Sequence, residues 1–335
     1  MKNILWSVII LCLSTFLLQS CSKPNGLPNS TGKTLEMIVV TNNKEQWNSR
    51  VGQTIKSFFG QEQIGLPQSE ALYSMVNLPE EAFIKMYQSN RDILIIDISE
   101  KITKAQIENK KDFWASPQRV IKISAPNTES FFKIFDENKE GILELFNMVE
   151  RERMINAFKT AQNIDIANAL SGKFNFSLIL PSAYKIAKQD SNFMWIRKET
   201  LEDSQGILIY SYPYIHENAF EKDIIINVRN MMTKRYIPGP AEGSFMKVAD
   251  QVIFPLTKTV NFNELFAIET RGLWETEGDY MGGPFLSYTL VDEVNNRVIT
   301  LDSYVYAPSQ NKRDLLKQLE AILYSFKMAE ISKGA

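Results

Sequence analysis

A chain of 335 residues, 44% hydrophobic and 23% charged, lies within the range of folded globular proteins and outside that of disordered ones. Its 37 basic and 39 acidic side chains are scattered and leave a net charge of -2, which offers no footprint for nucleic acid and excludes a polyanion as the main partner. The length suits two domains of roughly 100–200 residues, each able to bury its own core.

The chain opens as an export signal. Lys2 supplies a positive start, and the apolar run Ile4 to Leu18 is shorter than the roughly 18–20 residues that cross a bilayer as a helix. Both cysteines, Cys12 and Cys21, fall in or beside this segment. Leu18-Gln19-Ser20-Cys21 resembles the lipobox of bacterial lipoproteins, although Gln19 is bulkier than the small residue usual there. The resemblance implies a signal peptide over residues 1–20 and lipidation of the Cys21 thiol by palmitate-type chains, worth about 0.8 kcal/mol per buried methylene. The mature body then carries neither thiol nor disulfide. Residues 21–34, rich in Pro, Gly and small polar side chains, read as a flexible tether that lets the body stand off the membrane. Lipoproteins exported to the cell surface often carry acidic residues directly after the cysteine, and Ser22-Lys23-Pro24-Asn25-Gly26 has none. The expected location is the cell envelope, at the outer membrane and facing the periplasm.

Leu35 to Val40 reads as a strand, followed by a helix with Trp47, Val51, Ile55, Phe58 and Phe59 at helical spacing. Leu72 to Val76 is a short strand, and Pro79-Glu80-Glu81 starts a helix with Phe83, Ile84 and Tyr87 on one face. Ile93 to Ile98 and Val120 to Ser124 read as buried strands, so 35–126 is expected as an α/β domain. Thr128 to Ala169 is helical in pattern with a weak point at Gly141, predicting two or three bridging helices over 127–172. Glu150-Arg151-Glu152-Arg153 reads as their solvated face.

Beyond this the pattern turns to strands: Phe176 to Leu180, Phe193 to Arg197 and Ile207 to Tyr212. A helix near Asn218 to Tyr236 has Phe220, Ile224, Val228 and Met231 in register. Strands follow at Leu265 to Glu275, Pro284 to Asp292 and Arg297 to Tyr306. The last helix, opened by Pro308-Ser309, aligns Leu315, Leu316, Leu319, Ile322, Leu323 and Phe326. Residues 173–330 are expected as a mostly antiparallel sheet packed with helices. The whole chain is then α+β, with α/β character in its N-terminal half. The order of elements resembles loosely the α-β-α sandwich of the PsbP, Mog1 and DcrB group, a fold used for binding.

His216 is the sole histidine, in a loop-like segment. One histidine and no mature thiol do not build a zinc site or thiol catalysis, and no Gly-x-Ser-x-Gly elbow accompanies it. Glycine-rich phosphate loops are also missing from the sequence, so no catalytic residue, metal or cofactor is assigned. The richest stretch is Glu269 to Phe285. Strand alternation places Arg271, Leu273, Glu275 and Glu277 on one face and Gly272, Trp274 and Thr276 on the other, with Asp279 in the turn beyond. Arg271, Trp274, Glu275, Glu277 and Asp279 form the candidate binding surface, Arg and Trp being favoured interface anchors. The same carboxylates suit a hard cation or an acid–base pair acting on glycan, and a solvated strand face is the plainest reading. Met281-Gly282-Gly283-Pro284 is expected to supply positive φ, and Ile237 to Met246 a structured loop closing the preceding helix. Tyr304, Tyr306, Lys312 and Arg313 mark the last strand-to-helix corner, where the basic side chains meet either an anionic group or solvent.

Residues 237–246 (IPGPAEGSFM), 271–285 (RGLWETEGDYMGGPF) and 305–322 (VYAPSQNKRDLLKQLEAI) together resemble a bacteroidete lipoprotein family catalogued only as a domain of unknown function, number four-eight-three-seven. Trp114-Ala115-Ser116-Pro117-Gln118 and IVVTNNKEQW at 38–47 extend the likeness into the first half. The resemblance implies an envelope lipoprotein and brings no activity, cofactor or catalytic residue. The expected function is a non-catalytic binding or assembly module, anchored to the membrane by its lipid and docking an envelope protein or glycan. The alternatives are a carboxylate-dependent glycan hydrolase and a small-ligand-binding lipoprotein.

Overall fold

The computed structural model describes residues 26–251 and 253–329; the expected signal peptide and lipidation site, with Cys12 and Cys21, lie outside them. The first sheet contains β1 (Glu36–Thr41), β2 (Ser74–Pro79), β3 (Asp92–Ile98), β4 (Gln106–Lys111) and β5 (Arg119–Ala125), in the order β2-β1-β3-β5-β4. All pairings are parallel except β4 with β5. Near-continuous apolar runs such as Ile93 to Ile96 follow from burial on both faces. One face packs on α1 (Lys44–Asn48), α2 (Arg50–Phe59) and α4 (Thr128–Lys159) through Trp47, Val51, Ile55, Phe59, Phe131, Phe135 and Phe146. The other carries Phe83, Tyr87 and Trp114 over Ile38, Val40, Ile93 and Val120.

Three expectations for this half are corrected. Pro79-Glu80-Glu81 starts only a single 3-10 turn, because Ile84 takes an extended conformation before the short α3 (Lys85–Gln88). Two bridging helices are present, within the two or three expected, a 32-residue α4 followed by α5 (Ile164–Phe174), but the weak point is not at Gly141, which faces open space and leaves α4 unbroken. Nor is the segment before β1 free over its full length. Ser116 N donates to Pro28 O at 2.9 Å, Thr31 N to Ser89 O at 2.8 Å and Arg91 N to Thr31 O at 3.0 Å, which pins residues 28–31 against the domain.

The second sheet has eight strands: β7 (Lys185–Asp190), β8 (Phe193–Glu199), β9 (Ser204–Pro213), β10 (Phe245–Val248), β11 (Leu256–Phe262), β12 (Leu265–Glu277), β13 (Gly282–Asp292) and β14 (Arg297–Tyr306). The order is β10-β12-β13-β14-β9-β8-β7, all antiparallel, and β11 joins the same edge of β12 as β10, further along. A two-strand ribbon of β6 (Phe176–Ser177) with β15 (Lys327–Met328) closes one side. Alternation sends Ile207, Ile209, Leu286, Tyr288, Ile299 and Leu301 toward α5 and α7 (Arg313–Tyr324). It sends Leu208, Tyr210, Trp274, Phe285 and Tyr304 toward α6 (Lys222–Tyr236). With helices on both faces, this half is an α-β-α sandwich and the chain as a whole is α+β. On α6 the buried set is Ile225, Ile226, Arg229, Met232, Thr233 and Tyr236, while Met231, expected inside, is 57% exposed.

The halves interlock. Leu66, from the loop after α2, is buried in the core of the second half, and Gly65 at φ +82° brings that loop's backbone against Arg271 and Gly272 of β12.

Candidate functional site

The site is built on helical spacing along α4. Glu144, Asn147 and Arg151 recur at intervals of three and four residues and line the flank facing α7, whose own Lys317 and Glu320 stand one turn apart. Arg151 Nη1 donates to Glu320 Oε1 at 3.1 Å, and its other terminal nitrogen pairs with Glu144. Lys317 Nζ donates to Glu320 Oε1 at 3.0 Å and to Asn147 Oδ1 at 2.9 Å. From the sheet, Arg271 reaches Glu320 Oε2 at 3.0 Å and Glu269 Oε1 at 2.9 Å, while the Tyr288 hydroxyl donates to Glu269 Oε2 at 2.9 Å. Burial works against the charge on Glu320, but Lys317, Arg271 and Arg151 overcome it and hold its carboxyl well below the usual range. Burial likewise opposes the charge of Glu269, and Arg271 keeps that carboxyl low. Burial draws Lys317 down, with Glu320 resisting.

This network floors a cleft of about 1200 Å³ between the halves, walled by α4, the loop after α2 and the edge strand β11. Glu144, Asn147, Arg151, Glu269, Arg271, Lys317 and Glu320 all border it. So do the apolar side chains Ile64, Met148 and Leu256, each about half exposed (49%, 49% and 51%). β11 is bonded to β12 and, among the described residues, has no strand on its other side. Leu273 O accepts from Ala249 N on that flank of β12, so alternation turns Arg271, Glu269 and Ala267 toward β11 as well. Their partners Leu256, Lys258 and Val260 use their backbone groups inward, which leaves those of Thr257, Thr259 and Asn261 pointing outward.

The residues singled out in the sequence separate. Arg271 belongs to the cleft floor. Trp274 is not a surface anchor: it is 3% exposed, its indole N–H donates to Val305 O at 3.2 Å, and its ring packs on Tyr304 and Tyr306. Glu275 and Glu277 do share the face of Arg271, but further along, where Lys247 bridges both at the surface; its hydrogen bond and charge hold Glu277 below its ordinary range. Asp279 accepts only from the neighbouring Tyr280 N and lies beyond the end of β12. None of these three carboxylates borders the cleft.

Other expectations are settled by contact. Glu150 and Arg151 are buried, contrary to the solvated face expected for 150–153, because each has an ionic partner on another element, Arg91 before β3 and Glu320 on α7. Glu150 lies between Arg91 at 3.6 Å and Arg153 at 2.6 Å. Beside it the Asp92 carboxyl is pushed up, first by burial and then by the charge of Glu150. His216 accepts from Asn218 N and caps a 3-10 turn. Gly282 and Gly283 do not have positive φ; they sit in β13, where a Cβ on Gly283 would collide with Val305 O. At the basic corner it is the backbone that meets an anion, one from this chain: Glu70 accepts from Lys312 N at 2.7 Å and from Arg313 N at 3.1 Å, while Lys312 Nζ donates to Gln68 Oε1 and Gln310 O. Sequence reasoning missed Glu70, Glu144, Asn147, Glu269, Lys317 and Glu320 as a set, since nothing local links positions so far apart.

Among the described residues no group of three or more acidic, histidine or cysteine side chains is placed to hold a metal ion, and no helix is long and apolar enough to cross a membrane. Residues 163–325 match the family model described as domain of unknown function DUF4837. The match covers the second sheet with its helices. Residues 30–159, the first sheet with α4, match a second model, domain of unknown function DUF8532, so the cleft lies where the DUF4837 domain meets it. No curated protein matches the sequence. Solved structures similar to the chain include the Saccharomyces cerevisiae Ran-binding protein Mog1p, at 6% identity over 47% of this chain and 91% of that one with a TM-score of 0.33. A mutant of the protein Mog1 matches at 6% identity over 47% and 93% with a TM-score of 0.31. At such scores the likeness carries no argument about function.

Proposed function

We propose that the chain is a lipid-anchored envelope protein whose body is a non-catalytic binding module, receiving an extended polypeptide in the cleft between its two domains. The observation that carries this is the open edge of β11. Outward N–H and C=O groups run along Thr257, Thr259 and Asn261, and Thr257 and Asn261 line a cleft that also holds Ile64, Met148 and Leu256. An added strand satisfies such an edge, and apolar walls select its side chains. The carboxylates Glu269 and Glu320 are fully engaged by cations and depressed, which suits a fixed scaffold rather than proton transfer. Glycan hydrolysis through Glu275 and Glu277 has less support, because Lys247 occupies both and they sit outside the cleft. Lipidation at Cys21 and residence at the outer membrane, facing the periplasm, rest on the lipobox and the residues after it.

The test is selection of binders from a displayed peptide library, followed by amide exchange on the complex. Selected peptides are expected to slow exchange at Thr257, Thr259 and Asn261, and Thr259→Pro, tolerated at an outward edge position, is expected to abolish binding while preserving the fold. Binders that protect only other segments, or that ignore Thr259→Pro, would refute the reading.

A further inference from the structure

The pinned segment shows where an anchor would have to lie. Residues 28–31 run between two loops, held by Ser89 and Arg91 on one side and Ser116 on the other. The fully buried Gln118 locks those loops together, its amide donating to Gln88 O and Asn90 O at 2.6 Å each while its carbonyl oxygen accepts from Trp114 N at 2.8 Å. The chain therefore leaves the body at a fixed place. From Gly26, the five residues back to Cys21 reach at most roughly 18 Å when fully extended.

The same two loops carry an exposed apolar patch. Ile84 is 56% exposed, Met86 65% and Phe113 45%. Trp114 links the two segments, its ring 4.5 Å from Phe113 and 5.7 Å from Phe83, the residue directly before Ile84 in the chain. Lys85 lies between the two exposed aliphatic side chains, and Lys110 Nζ sits 4.7 Å from the Phe113 ring centre. Large apolar groups, a tryptophan and lysines able to extend past them form the composition that settles at a bilayer interface. Glu80, Glu81 and Glu108 lie nearby in the chain, and Glu108 pairs with Lys110, so apolar contact and not net charge drives the association.

We infer that the pole of the N-terminal domain bearing Ile84, Met86, Phe113 and Trp114 rests on the lipid surface to which Cys21 anchors the chain. This rests on the lipid-anchor reading above. It replaces a body swinging on a long tether with one laid down in a fixed orientation, because the exit point of the chain and the apolar patch share the same loops. Two weak signals act together: the acyl chains supply proximity, and the patch adds contacts that would be insufficient alone.

The test uses the full mature protein in phosphatidylcholine vesicles. Acylation consumes Cys21 and the leader removes Cys12, so Met86→Cys, Phe113→Cys and, as control, Leu201→Cys each introduce a single reactive thiol; Leu201 is fully exposed in the C-terminal half. Nitroxides at 86 and 113 are expected to collide more with lipid-soluble oxygen than with an aqueous nickel chelate, and a nitroxide at 201 to show the reverse order. Acylated protein whose labels at 86 and 113 are as water-accessible as at 201 overturns the docked pole and leaves the anchor standing. A mass showing Cys21 unmodified overturns the anchor, and the docked pole with it.

Discussion

Arg151 and Glu320 meet at 3.1 Å, each only 7% exposed in its side chain, and this contact joins the long helix of the first domain to the last helix of the second. Lys317 and Arg271 complete the surroundings of Glu320. Removing one member of a buried ionic cluster leaves its partners unpaired, at a cost of roughly 3–5 kcal/mol. We expect Glu320→Gln to lose about that much in urea unfolding at pH 7. Because the Glu320 carboxyl lies below its ordinary value when folded, its contribution is present above about pH 4.3, the unfolded value, and is lost as pH falls further. The gap between wild type and Glu320→Gln should therefore narrow below pH 4. A gap that stays constant into acid would show that Glu320 is not the carboxylate holding the cluster.

The opposite sign is expected at Asp302. Burial pushes it up to about 6, with Arg229, 2.8 Å away and stacked on Phe285, pulling the other way. Its unfolded value is about 3.9, so the stability tied to its proton is fully present below about pH 4 and lost as pH rises through 6. The loss is on the order of 2–3 kcal/mol. Urea midpoints measured from pH 4 to 7 should carry this downward component, and Asp302→Asn should remove it. Equal pH slopes in the two proteins would contradict the assignment.

Trp274→Ala is expected to destabilise the domain by roughly 3–5 kcal/mol, as for other buried aromatic truncations, and to do so whether or not a partner is bound. Trp274→Phe should recover part of this, forfeiting chiefly the hydrogen bond to Val305 O. Thermal unfolding of both variants checks the order. An Ala variant as stable as wild type would return Trp274 to the surface.

Glu70 caps α7 from the other domain. Glu70→Ala leaves the first amides of that helix without their acceptors and should cost about 0.5–2 kcal/mol. Amide exchange at Lys312 and Arg313 should accelerate in the variant before exchange elsewhere in α7. Unchanged exchange there would mean solvent replaces the carboxylate without loss.

What could be read from the sequence follows the physics of burial. β1, β3, β5, β9, β12, β13 and β14 are apolar because they run through the middle of a sheet or beneath a helix, and their periodicity exposes them. β4, β7 and β11 escape notice since edge strands carry polar residues, such as QIENKK in β4. On α6 the expected stripe was displaced because Arg229, polar by type, is fully buried against Asp302 and occupies a core position. Trp274 reads alike as anchor or as core, because a large aromatic residue favours both. Arg271 was recognisable from its own neighbourhood, whereas Glu70 draws its role from Lys312, 242 positions away, and Glu320 from Arg271 and Arg151, 49 and 169 positions away.

The cap by Glu70 bears on ancestry as much as on stability. Two separately catalogued families meet in this chain, yet the final helix of one begins on a carboxylate belonging to the other. Without this neighbour the last helix would lack the Glu70 acceptor at its start, and Glu320 would keep Lys317 and Arg271 but lose Arg151. The two modules are thus joined at the level of single atoms: a change at position 70 in one removes the acceptor that the backbone opening α7 uses in the other.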